Sequence, residues 1–274
     1  MARAVETRVS HTMGDPSEES LVRDSGSPRL VGQANHSVYS EAAELMRRIR
    51  ASEGERVFWR MEALAATLFV FGENRLGLVK RLTQVEAPGN RAQFFSMRKR
   101  ETLRMFQMDI MRLMHNFLAS AFTLKEHSNV LARELLSGQS LNREYQQEVA
   151  ELFADSALAG LVQGLRNWML HKGLLPVVVR LSATGENGEP VSSVVLHIDA
   201  LKSWDGWNSR ARQHLANLTS DPRLCDLVDS YSGLVQQFHC WLERRLLEVH
   251  TTALLESHEL GSRFRAIYGV PDQR

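Results

Sequence analysis

Apolar residues recur three and four positions apart along almost the whole chain, and that period admits a helical fold and little else. Ala42, Leu45, Met46 and Ile49 begin it, and Val57, Met61, Leu64, Ala65 and Leu68 continue it. Gly54 marks a weak point between two helical pieces. A further piece, Leu76 to Val85, ends before the turn signal Ala87-Pro88-Gly89-Asn90. A long helix is predicted from Gln93 to Leu124, carried by Leu103, Phe106, Ile110, Leu113, Met114, Phe117, Leu118 and Ala121. His127-Ser128-Asn129 predicts a break, and a helix over Val130 to Leu136 follows. Ser137-Gly138-Gln139-Ser140 closes that helix, and another runs from Asn142 to His171, stopped by Lys172-Gly173.

The period changes once. Leu174 to Leu181 and Val191 to Ile198 are rich in β-branched residues and flank the turn-forming SATGENGEP, which predicts a β-hairpin. Helix then returns. Asp205 is expected to cap a short one. Asp221-Pro222 is expected to open a long one to about Tyr268, with Gly233 and Gly261 as points of interruption. The fold class is mainly α: a helical bundle with one inserted β-hairpin.

Composition sets the broad class. The chain has 274 residues, 33 basic against 32 acidic, and a formal net charge of +1. That excludes a strongly basic nucleic-acid coat as a whole-chain property and leaves local patches open. Hydrophobic residues make up 43%, enough for a buried core at this length. The two cysteines, Cys225 and Cys240, are too few for a disulfide framework. Residues 1–36 are rich in Ser, Gly, Pro and mixed charge. They carry too little apolar surface to offset ordering entropy and are expected to form a flexible arm. Residues 37–274 are expected to form a single helical domain. The first residues hold no apolar run of signal-peptide length, and no stretch is long enough to span a bilayer, so a cytoplasmic protein without membrane contact is expected.

The segment Ser156 to His171 has two faces. At 100° per residue, Leu158, Leu161, Val162, Leu165 and Met169 cluster on one side. The other holds Ser156, Gly160, Gly164, Asn167 and His171. Two glycines inside a helix each cost about 1 kcal/mol relative to alanine. Such a stripe suits the close approach of a second helix, from this chain or from a symmetry mate. Arg166 lies about 100° round from Asn167 and can still reach the same groove. The bland reading is that these polar residues are surface side chains at a helix end, where cations are favoured by the dipole.

Arg166-Asn167-Trp168-Met169-Leu170-His171, continuing into Lys172-Gly173-Leu174-Leu175-Pro176, resembles the signature of the HEPN superfamily: an arginine, a polar residue directly after it, and a histidine at the end of a long helix. The resemblance covers about residues 93–176, which would be a HEPN-like core, with the hairpin (174–198) and the C-terminal helices (205–268) as elaborations. It implies a metal-independent endoribonuclease without cofactor, of a bacterial defence or toxin system. It also implies a homodimer with two motifs facing across a groove, RNA as substrate, and an antitoxin or other defence protein as partner. The catalytic residues it implies are Arg166, Asn167 and His171.

The residue types suit that reaction. Cleavage by the ribose 2′-hydroxyl needs a proton acceptor, a proton donor and positive charge on the phosphorane. Histidine can take either proton role near neutral pH, and arginine can clamp phosphate oxygens with two parallel donors. The two proton roles stay unassigned. For RNA binding, Arg98, Lys99, Arg100 and Arg104, with Arg91 before them, form a basic cluster, and Arg47, Arg48 and Arg50 form another. Either can equally be a solvated helix face. Trp204 and Trp207 can stack bases or pin the hairpin to the next helix.

The alternative to an enzyme is a non-catalytic helical module of HEPN-like fold that binds nucleic acid or protein. A third is a structural protein in which Arg166 and His171 only complete a helix end. His239, Cys240, His250 and His258 lack the short pairings of zinc sites, so no metal is expected. His115 reads as a hydrogen-bonded core or interface residue.

Overall fold

The computed structural model describes residues 29–87, 100–154, 156–182 and 191–270. The chain divides into two units, residues 1–44 and 45–274. Of the first unit, only the start of helix α1 (Arg29–Ala51) is described. That helix begins inside the segment expected to be a flexible arm.

In the second unit, Ser52 rather than Gly54 separates the first two helices. Its hydroxyl accepts from Glu55 N at 3.2 Å and so caps α2 (Glu53–Glu86). Gly54 serves packing instead: a Cβ built there would lie 2.0 Å from the carbonyl oxygen of Ala253. Helix α2 runs unbroken to Glu86, through Gly72 and Gly77, because its buried stripe of Val57, Leu64, Phe71, Leu78, Leu82 and Val85 is continuous.

Helix α3 (Arg100–Leu135) crosses the expected break at His127-Ser128-Asn129 without interruption. Ser128 is buried, and its hydroxyl lies 2.8 Å from Leu124 O within the helix and 3.0 Å from His239 Nε2 on the last helix, so its one proton has an acceptor on either side. The predicted 142–171 helix is instead two. Helix α4 (Gln139–Val149) runs into a π-helical stretch (Ala150–Ala154), and α5 (Ala157–His171) restarts with Ser156 accepting from Ala159 N at 3.2 Å. The Ser156 cap was legible as a residue type but hidden inside a continuous apolar pattern.

Strands β1 (Val177–Ser182) and β2 (Val191–Leu196) form the antiparallel hairpin, Val177 opposite Leu196 and Ser182 opposite Val191. The buried Ser192 hydroxyl donates to Val85 O at the end of α2. Helix α6 (Ile198–Lys202) follows directly, then α7 (Ser209–Asn217), capped by Asn208 with Ala211 N at 2.8 Å. Asp205 caps neither. Asp221 does not open the last helix either: its Oδ1 accepts from Ile198 N at 2.9 Å, at the start of α6, and its Oδ2 pairs with Arg180 of β1.

Helix α8 (Leu224–Ile267) begins after Arg223, which supplies no side-chain cap, and passes Gly233 and Gly261 unbroken. The central packing is α2 on α3 and on α8. Phe71, Phe117 and Tyr231, one from each helix, join in an aromatic chain with centroids 5.3 and 6.3 Å apart. The architecture is mainly helical with one two-stranded antiparallel sheet. Among the described residues no helix is long and apolar enough to cross a membrane.

Candidate functional site

The glycine stripe of α5 is covered by its own chain. A Cβ on Gly164 would lie 2.2 Å from Trp207 Cζ3, and one on Gly160 would lie 3.7 Å from Ala211 N. The stripe therefore receives Trp207 and α7, which is the intramolecular one of the two contacts its sequence allows. Trp168, Trp204 and Trp207 form one aromatic cluster with centroids 5.1–6.2 Å apart. The Trp207 indole donates to Leu201 O at 2.7 Å. Buried in this way, Trp207 is a pin between elements and offers no face to a base.

The same packing separates the motif residues. Arg166 and His171 are five positions apart, so they point roughly 140° away from each other around α5. His171 is exposed, and its ring makes no hydrogen bond among the described residues. Asn167 is half-buried and its Oδ1 accepts from Arg166 Nη1 at 3.3 Å. The Arg166 guanidinium stands 5.2 Å from the centre of the Phe122 ring on α3. No carboxylate pairs with it among the described residues.

Arg166 lines an open groove of about 470 Å³ between α3 and α5, together with His115, Phe122, Thr123, Glu126 and His127. His115 is exposed here rather than buried in the core. These α3 residues share a face because 115, 119, 122, 123, 126 and 127 follow the helical period. That polar stripe within an apolar helix is the signal by which the sequence could have revealed them, and the assumed break at His127 concealed it.

His127 is held from α2. Thr67 Oγ1 donates to Ala63 O at 3.0 Å and lies 2.7 Å from His127 Nδ1. In the tautomer in which this hydroxyl accepts from Nδ1–H, Nε2 is left with the lone pair that an acceptor or base requires. The groove thus combines a fixed cation, an aromatic ring, an oriented imidazole and one opposing carboxylate, Glu126.

The expected basic cluster does not join this groove. Arg98 and Lys99 lie outside the described residues, as does Arg91. Arg100 and Arg104 are exposed on the first turns of α3, and Arg104 pairs with Glu101 at 3.7 Å. Arg104 is eighteen positions before Phe122, about 27 Å along the helix. The candidate metal residues are likewise dispersed. His239 bonds Ser128 and Val235 O, His250 bonds Leu135 O, and Cys240 is exposed.

Compared with known proteins, the chain matches no family model, no curated protein and no solved structure.

Proposed function

We propose that this chain is a metal-independent endoribonuclease of HEPN type that binds and cleaves RNA in the groove between α3 and α5. The observation that supports this most is the pairing, in one open groove, of the Arg166 guanidinium, which has no carboxylate partner among the described residues, with the Thr67-anchored imidazole of His127. Phe122 adds a stacking surface beside the cation.

In this reading Arg166 binds the non-bridging phosphate oxygens with parallel donors. His127 Nε2 takes the 2′-hydroxyl proton as the P–O2′ bond forms. The P–O5′ bond breaks, leaving a 2′,3′-cyclic phosphate and a 5′-hydroxyl. The proton for O5′ comes from a second acid, for which a homodimeric mate would bring its own copy of the α3 histidine. RNA, a homodimeric mate and an antitoxin or other defence protein remain the partners of this proposal, and the cytoplasm its location. Because His171 stands apart from Arg166, the proton-transfer role passes to His127.

The test is cleavage of labelled single-stranded RNA by the purified chain in EDTA, with Arg166→Ala, His127→Ala and His171→Ala variants of verified fold. We expect the first two to lose about a hundredfold or more in rate and the third to retain activity. Activity that depends on His171 alone would return the chemistry to the helix end. RNA binding that needs Arg166, without cleavage by any form, would establish the second reading, a non-catalytic nucleic-acid-binding module. Indifference of both binding and cleavage to Arg166 would exclude the groove.

A further inference from the structure

A cavity of about 270 Å³ lies among α3, α4, the π-helical stretch, α5 and α8, and Phe122 belongs to its wall as well as to that of the groove. An apolar cavity of roughly 150 Å³ takes one benzene ring. On that scale this one takes about ten non-hydrogen atoms, the size of a fused pair of rings.

Its lining is aromatic. Phe122, Tyr145, Phe153, Tyr231 and Phe238 reach it from four elements. Tyr145 and Phe153 both meet Phe238 edge-on, with centroids 5.8 and 5.6 Å apart. Edge-to-face contact is the arrangement that aromatic rings favour. A flat ring extends such an array with no internal freedom to lose. An alkyl chain of the same size gives up its rotamers on entry and offers no ring edge.

The buried part of the lining carries no charge among the described residues. Lys125 and Arg210 line the cavity too, but both are exposed, where water hydrates them. Burial pushes the Tyr145 and Tyr231 phenols up to about 12 and holds the His239 imidazole below its ordinary range, so all three rings are neutral near pH 7. Tyr145 donates to Asn129 Oδ1 at 2.9 Å. His239 Nδ1 lies 2.8 Å from Val235 O and Nε2 lies 3.0 Å from Ser128 Oγ. The Gln163 amide and the Tyr231 hydroxyl each carry a donor and an acceptor and so select neither sign of charge. An ion would shed its hydration here without a buried counter-charge, whereas a neutral ring has little hydration to shed.

We propose that this cavity is a binding site for a neutral aromatic molecule of one or two fused rings, held among Phe153, Tyr231 and Phe238.

Indole is the probe, titrated calorimetrically into the full chain. Benzoate, an aromatic anion, and 1-octanol, a neutral aliphatic, have the same number of non-hydrogen atoms and serve as its counterparts. We expect saturable one-to-one binding of indole with a dissociation constant below about 1 mM, and binding at least about tenfold weaker for the other two. Val149→Trp and Ala159→Leu each fill part of the cavity from a half-buried wall position. In a variant that keeps the circular dichroism and the cooperative melting of the parent, indole binding should fall about tenfold or more. The ligand series needs no variant and decides the matter if neither variant folds. Absence of saturable indole binding at millimolar concentration, benzoate or octanol bound as tightly as indole, or unchanged indole affinity in a folded variant would each overturn the proposal.

Discussion

At Gly164 a single hydrogen atom decides how two elements meet. The Trp207 ring occupies the space that any side chain would claim. Alanine would return about 1 kcal/mol of helix propensity. Moving a buried indole that already donates to Leu201 O costs more, about 1–3 kcal/mol by the overpacking scale. Gly164→Ala should therefore lower the melting temperature while leaving the elution volume on size exclusion unchanged, because the stripe is an internal contact. A shift toward monomer would instead place the stripe at a subunit interface. The residue scale is also where the motif divides. Arg166-Asn167 and His171 are legible as residue types in the sequence, but the α5 helix aims Arg166 at Phe122 and His171 at solvent. Sequence spacing supplies the angle between them and not the neighbour each one meets.

At the scale of elements, the apolar period located the helices, while their ends depended on side chains that bond out of sequence. Asp221 illustrates this. Its place before Pro222 reads as an N-cap of the last helix, whereas its carboxylate spans two other elements, accepting from Ile198 N and pairing with Arg180. Asp221→Ala should cost about 1–2 kcal/mol in chemical denaturation. Hydrogen exchange should accelerate first at Ile198 and the start of α6, and faster exchange confined to α8 would restore the capping role. Ser128 is the converse case. A Ser-Asn pair after histidine reads as a helix break, yet back-bonding to Leu124 O and the contact with His239 keep α3 continuous over 36 residues.

Across the whole molecule, α3 and α8 are joined by the buried Ser128–His239 contact. Burial holds the His239 imidazole below its ordinary range, opposed only in part by the hydrogen bond to Val235 O. The folded chain therefore binds fewer protons at this ring than the unfolded chain does as pH falls below about 6.5. Its contribution to stability is intact above that pH and is lost on acidification toward the folded-state value, by at most about 1.4 kcal/mol per pH unit. Unfolding of the parent chain and of His239→Gln, compared between pH 7.5 and pH 5, should show a shallower decline in the variant. Parallel curves would mean that other groups carry the acid sensitivity.

Apolar spacing determined the helical class and located the long central and C-terminal helices, and β-branched runs around a turn located the hairpin, because burial of a periodic face is a local demand that every neighbour repeats. Which polar side chains share a site was decided by tertiary packing. His127 joins Arg166 because α3 lies against α5, and its ring is oriented because Thr67 comes across from α2. No period records such an encounter, since it depends on the rotation of one helix against another and on the ring that happens to fill the space between them.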